Sequence, residues 1–294
     1  MEKLLQWAVN NSDQEELKKN AEAIRKGEVP VDRSKFDPKI IESILGKDDA
    51  TRMQEALKCI TDPEDTIENK EIALDNFELL IEHIDNAKNI ENMKMWPTII
   101  SLYNAPEPEI RKGALWISGT AVQNNPAAQK AYLANGGLEP LVNLLKNDQN
   151  TEVKAKALYA ISGLLKHCPS AVEAFELQGG FKLLGDLLKE SDNPNMVRKI
   201  VFLLNSLMID NAKVAKLLLE GNLLQELDVV LVKYTKSENQ DEDMIEKTLR
   251  TLHTLVTQTC TSVSPEMKQH VEEARSTFGQ ENLGLAAEEW TQLA

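Results

Sequence analysis

Cysteine is scarce in this chain. Its three copies, Cys59, Cys168 and Cys260, are odd in number and far apart. That excludes a disulfide framework and a paired-thiolate metal site, and it fits a reducing compartment. Aromatic residues make up only 5% of the 294 positions. With Leu, Ala, Lys and Glu abundant, that balance favours helix over strand. Apolar runs such as Val201–Leu204 fall far short of the roughly 18–20 residues a membrane helix needs. The opening MEKLLQWAVNN turns polar too soon for a secretory signal. A basic excess is missing as well: 33 Lys and Arg face 47 Asp and Glu, a formal charge of −14. Phosphate recognition needs a concentrated basic surface, so nucleic acid is not expected as a partner, and neither is a membrane. The acidic charge points to a protein partner or simply to solubility, without deciding between them, and the chain is expected to be a soluble monomer.

What is present is helical period. In residues 138–165 one stripe comprises Leu138, Leu141, Leu144 and Leu145, and the next Val153, Leu158, Ile161, Leu164 and Leu165, with the polar Asn147–Asn150 between them. The pattern also repeats. GGLEPLVNLL (Gly136–Leu145) and GGFKLLGDLL (Gly179–Leu188) match at a shift of 43 residues, and MWPTIISLY (Met95–Tyr103) fits the same frame. A fourth copy, GNLLQELDVVL, follows after 41. A second segment recurs in step: Ala114, Ala157 and Ile200 align at 43, with an earlier copy around Ala73 and a weaker one at Glu246–Val256.

Each unit reads as a short helix, a Gly-started helix and a longer helix entered through a polar turn. The Gly accepts the positive φ of a sharp turn without a Cβ clash. An all-helical period of 40–47 residues is that of HEAT and armadillo arrays, and the expected fold is armadillo-like. One unit cannot bury its own apolar stripe, so three-helix repeats stack into a right-handed superhelical solenoid with a continuous core, a concave groove and helical caps. The expected divisions are an N-terminal segment over 1–38, capping helices over 39–69 (Lys39–Leu45 and Ala50–Ile60), repeats over 70–275 and a tail over 276–294. Residues 10–38 read as flexible or partly helical, and the tail after Ser276 as fraying.

Catalytic motifs are missing: there is no nucleophile elbow, phosphate loop or His-Glu-x-x-His zinc signature. His167 and Cys168 are neighbours, but adjacent helical side chains diverge by about 100° and share a proton poorly. The Ser237–Asp243 run lacks the Gly and terminal Glu of a calcium loop. No catalytic residue, metal or cofactor is expected. What remains is a surface. The third helix of each unit lines the groove, and the 43-residue frame makes Ala155, Tyr159, Gly163 and Lys166 outward in one copy. The preceding copy supplies Lys112, Trp116, Thr120 and Gln123, the following one Arg198, Phe202 and Ser206, and the first Glu71, Asp75 and Glu82. Asp75, Trp116, Tyr159 and Phe202 fall in one column, unless the register slips by one and the rings belong to the core. Large rigid rings suit protein recognition.

ALDNFELLIEHIDNAKNIENM (Ala73–Met93), GTAVQNNP (Gly119–Pro126) and KALYAISGLLKH (Lys156–His167) closely resemble the cytosolic armadillo-type nucleotide exchange factors of the heat shock protein 70 chaperone. LLQWAV and DPKIIESILG are similar to the fungal members. The resemblance implies that the groove wraps the chaperone's ATPase domain and promotes ADP release. It implies contacts at Ala87, in the loop leading into the next unit, and at Arg198, opening a groove helix. It further implies that Leu4, Leu5, Trp7 and Val9 act as a substrate mimic toward the chaperone's peptide-binding domain. The alternative is an armadillo adaptor for peptide cargo, similar to nuclear import receptors. Their Asn ladder would fall at Thr120, Gly163 and Ser206, where this chain has no Asn.

Overall fold

A computed structural model describes residues 13–26, 46–209 and 211–293, which divide into two compact units, Met1–Glu55 and Ala56–Ala294. All regular structure among the described residues is helical. The first unit contains α1 (Gln14–Arg25) and the start of α2 (Asp49–Thr61), so part of the 10–38 stretch is helix. The expected helix at Lys39–Leu45 lies outside the described residues.

The second unit is the repeat array. Its third helices are α3 (Ile67–Ile81), α6 (Pro108–Val122), α9 (Thr151–Leu165), α12 (Pro194–Met208) and α15 (Glu242–Thr259). Each packs on the next, forming one unbroken ladder. The short first helices are α4 (Ile84–Asn92), α7 (Pro126–Ala134), α10 (Pro169–Leu177) and α13 (Ala212–Glu220). Between first and third come α5 (Trp96–Ser101, continued by a 3-10 turn), α8 (Leu138–Asn147), α11 (Gly180–Glu190) and α14 (Leu223–Thr235). This is the armadillo-like solenoid that the period requires. Leu158, Ile161, Leu164 and Leu165 are wholly buried, and Leu138, Leu141, Leu144 and Leu145 are buried beside them.

Polar residues end and begin helices at the same place in successive repeats. Asn150 accepts from the amides of Glu152 and Val153 at 2.9 and 3.2 Å, and Asn193 from Asn195 and Met196 at 3.0 and 3.3 Å. These caps satisfy amides the first helical turn leaves bare. Positive φ recurs at Gly136 (73°), Gly179 (71°) and Asn222 (72°), each 43 residues on. The fourth copy therefore keeps the 43-residue frame rather than shortening to 41. Its turn residue is Asn222, not Gly221, because Asn also tolerates the left-handed region.

The same frame accounts for His167 and Cys168. Asn124 and His167 share a left-handed turn, with φ of 51° and 57°. Asn125 and Asn211 then cap the first helices by accepting from Ala128 and Val214 at 3.3 and 3.2 Å, while Cys168, in the equivalent place, makes no side-chain cap bond. Cys168→Asn is therefore expected to stabilise the fold by about 0.5–2 kcal/mol, read as a higher thermal midpoint. An unchanged or lowered midpoint would contradict the capping account.

The C-terminal stretch, read from the sequence as a fraying tail, ends in a packed helix. After α16 (Pro265–Phe278), α17 (Ala287–Leu293) packs on α15 with Trp290 and Leu293 buried, and the Arg275 guanidinium lies 5.2 Å from the Trp290 ring. Two apolar side chains anchor a short acidic helix because α15 offers them a ready surface.

Candidate partner-binding face

The third-helix ladder carries the aromatic column. Trp116 on α6 and Tyr159 on α9 are half-buried, and Phe202 on α12 is 59% exposed. None is sealed into the core. The chain's wholly buried rings come from other places, among them Trp96, Tyr103 and Tyr132. There Tyr103 donates to the Ser118 hydroxyl at 2.6 Å, and burial pushes its phenol up to about 12. The frame thus separates two sets of aromatics: one builds the protein, the other stays in reach of a ligand.

Glycine makes the column possible. A Cβ on Gly119 would stand 2.5 Å from ring carbons of Tyr159, and one on Gly163 would stand 3.1 Å from the Gly119 carbonyl oxygen. Bare backbone on both helices lets α9 lie close to α6 with the Tyr159 ring against Gly119. Gly163 is accordingly buried against α6 and does not face outward as the frame implied.

Hydrogen bonds fix the column laterally. The Thr120 hydroxyl donates to Glu78 Oε1 at 2.6 Å and lies 3.2 Å from the Tyr159 hydroxyl, which donates to Gln123 Oε1 at 3.5 Å. Lys156 Nζ sits 3.4 Å from the Trp116 ring centroid and 5.7 Å from that of Tyr159. An ammonium over an aromatic face is drawn to the ring's negative quadrupole. Burial holds the Lys156 pKa below the usual lysine value; Glu78 opposes this, and the like charges of Lys199 and Lys112 add to it.

Gln123, Tyr159, Lys166, Phe202 and Ser206 line a cleft of about 120 Å³ floored by Gly163. Larger clefts of about 330 and 450 Å³ share Glu176, Leu217 and Glu220 and are lined mainly by first and second helices, away from the column. Among the described residues no cluster of His, Cys, Asp or Glu has the form of a metal site. No described helix is long and apolar enough to cross a membrane.

Several expected contact residues stand elsewhere than the sequence implied. Ala87 is not in a loop: it lies within α4, only 2% exposed, so its methyl faces the interior. Arg198 does open α12, but it is held within the chain. Its Nε is 2.6 Å from Asp243, its Nη2 pairs with Asp241, and its Nη1 donates to Asn195 at 2.9 Å. The guanidinium thus braces α12 to the start of α15. Asp75 is exposed, while Glu82, Gln123 and Lys166 follow the last residues of α3, α6 and α9 as exposed C-caps. Leu4, Leu5, Trp7 and Val9 lie outside the described residues. Two participants were missed: Glu78, one turn beyond Asp75, and Lys156, one turn before Tyr159. That i, i+3 spacing was the available signal.

Residues 86–292 match the family model described as SIL1/FES1/HPBP1 C-terminal domain. The chain belongs to the SIL1/FES1/HPBP1 family. Residues 1–90 match a second family model, described as Nucleotide exchange factor Fes1. A relative named Hsp70 nucleotide exchange factor FES1, from Kluyveromyces lactis, is 43% identical over 147 residues, 49% of this chain and 47% of that protein. One of the same name from Schizosaccharomyces pombe is 42% identical over 112 residues, 38% of this chain and 39% of its own length. The SIL1/FES1/HPBP1 chain thus spans less than half the length of either relative in these matches. Among solved structures, a designed armadillo repeat protein in complex with the peptide (KR)4 superposes with a TM-score of 0.62 at 18% identity, covering 82% of this chain and 96% of that one. A computationally designed armadillo repeat protein for modular peptide recognition gives 0.60 at 17% identity, covering 82% and 96%. Both likenesses concern the fold.

Proposed function

We infer that this chain is a nucleotide exchange factor for an Hsp70 chaperone, gripping the ATPase domain along its third-helix face and promoting release of ADP and client. The observation that carries this reading is the accessible column of Trp116, Tyr159 and Phe202, on a chain of a family whose relatives bear that name. Such a protein acts as a monomer in the cytoplasm, makes and breaks no bond, and needs neither nucleic acid nor membrane. Leu4, Leu5, Trp7 and Val9 supply the short apolar stretch a peptide-binding chaperone takes up, and so serve as a client mimic.

The mechanism is coupling. A rigid face that fits an opened nucleotide cleft better than a closed one shifts the chaperone toward its weakly ADP-binding form. Linkage makes the effect mutual, so bound ADP must weaken this protein's grip by the same factor. A hundredfold change corresponds to about 2.7 kcal/mol of differential binding. A few aromatic contacts supply that.

Labelled ADP preloaded on Hsp70 is expected to leave roughly a hundredfold faster at saturating amounts of the full chain. An unchanged release rate at saturation would refute the reading. The peptide-adaptor alternative fits less well: Thr120, Gly163 and Ser206 stand where its Asn ladder belongs, and the Lys156 ammonium covers the Trp116 ring where a basic cargo would approach.

A further inference from the structure

The chain is strongly acidic, with a formal charge of −14, yet the middle of its third-helix face gathers cations. Lys112, Lys156 and Lys199 lie on the successive helices α6, α9 and α12. Lys112 pairs with Glu152 at 3.0 Å. Lys156 instead meets the Trp116 ring at 3.4 Å, and Lys199 is exposed. Lys112 and Lys199 are near enough to Lys156 to disfavour its charge, while Glu78 and Asp75 on α3 favour it from the other side. Like charges brought together cost folding free energy. Lysines on three successive helices, with Lys199 one turn before the exposed Phe202 and its small cleft, match a ligand that brings negative charge and one apolar side chain.

We propose that this part of the face reads an acidic patch on the partner protein: Lys112, Lys156 and Lys199 take its carboxylates, and the cleft beside Phe202 takes an apolar side chain. The proposal deepens, and rests on, the assignment of Hsp70 as partner. Asp75 and Glu82, exposed on and just after α3, give the adjoining end the opposite sign. A partner with an acidic and a basic region therefore seats in one direction only. The column supplies contact area, and the charges supply orientation and encounter rate.

The test titrates full-length Hsp70 with the full chain and three kinds of variant, at low and at high salt. Lys156→Glu combined with Lys199→Glu is expected to weaken binding about tenfold or more at low salt, with the gap closing as salt screens the charges. Lys199→Glu alone changes an exposed residue and should show a smaller loss of the same salt dependence while its thermal midpoint stays at the parent's. Phe202→Ala should weaken binding equally at both salts, because apolar burial is not screened. Lys130→Glu, the same charge change at an exposed site on α7, should bind like the parent. Parent-like affinity of the double variant at low salt would overturn the proposal. Displacement of Hsp70 by a single-stranded RNA oligonucleotide would overturn it too, since the lysines would then be reading phosphate. A parent chain that fails to bind Hsp70 at either salt would instead remove the functional assignment, and this inference with it.

Discussion

Phe202→Glu is expected to abolish the proposed acceleration of ADP release while leaving the fold intact. Phe202 is 59% exposed, so the change removes little packing, and exposed substitutions usually fall within about 0.5 kcal/mol of the parent in stability. Its ring nevertheless borders the cleft floored by Gly163, beside Tyr159 and Lys166. An aromatic at the centre of a protein interface carries about 2–4 kcal/mol, so its loss weakens association by roughly 30-fold or more. A carboxylate there adds desolvation, and it would draw Lys166 away from the partner. The check is a titration of Hsp70 followed by labelled ADP release, with circular dichroism and thermal unfolding run alongside. Parent-like acceleration in a folded Phe202→Glu protein would take this residue out of the interface.

The largest loss of stability is expected from Arg111→Ala. Arg111 is 16% exposed, and it meets the 4%-exposed Asp148 through two bonds, Nε to Oδ2 at 2.8 Å and Nη2 to Oδ1 at 3.1 Å. Nη1 also donates to the carbonyls of Ala105 and Pro106 at 2.8 and 2.9 Å. One guanidinium thus ties the first turn of α6 to the end of α8 and to the loop before it. Its removal leaves a carboxylate buried without its cation and two carbonyls without a donor, a cost of about 3–5 kcal/mol.

Asp148 also dictates how that cost varies with pH. Burial alone would raise its pKa, but the Arg111 hydrogen bond, the Asn150 amide and the charges of Arg111 and Lys154 outweigh burial and leave it lowered. A lowered carboxylate pKa means that the folded chain releases the proton more readily than the unfolded one. The pair's contribution is therefore complete above the unfolded value of about 3.9 and is lost as pH falls toward the folded one. In Arg111→Ala only the burial effect and weaker partners remain, so the gap between variant and parent should be full at neutral pH and narrow in acid. Urea titrations at several pH values measure this. A gap that widens in acid would contradict the account.

The repeat was readable because burial imposes the same demand every 43 residues. Leucine stripes, polar caps and left-handed turns each had to recur, and together they set a register close enough to put Trp116, Tyr159 and Phe202 on one face. Finer features escaped for identifiable reasons. Asn222 carries the left-handed turn, but the neighbouring Gly221 drew the alignment to itself. Ala87 sits among polar residues in a nine-residue helix, where one small methyl adds little to a hydrophobic count even when buried. The acids that hold Arg198 belong to the next repeat's entry, over 40 residues away, and no local pattern links them. Trp290 and Leu293 looked like isolated apolar residues in an acidic tail until α15 gave them something to cover.

Because α6, α9 and α12 each contribute one ring, a guest touching all three bridges modules that otherwise meet only their immediate neighbours. Nearest-neighbour architectures tend to fray stepwise. An occupied face acts as a splint across those joints: peeling away any one module must also break a contact with the guest, so the span melts as a single block.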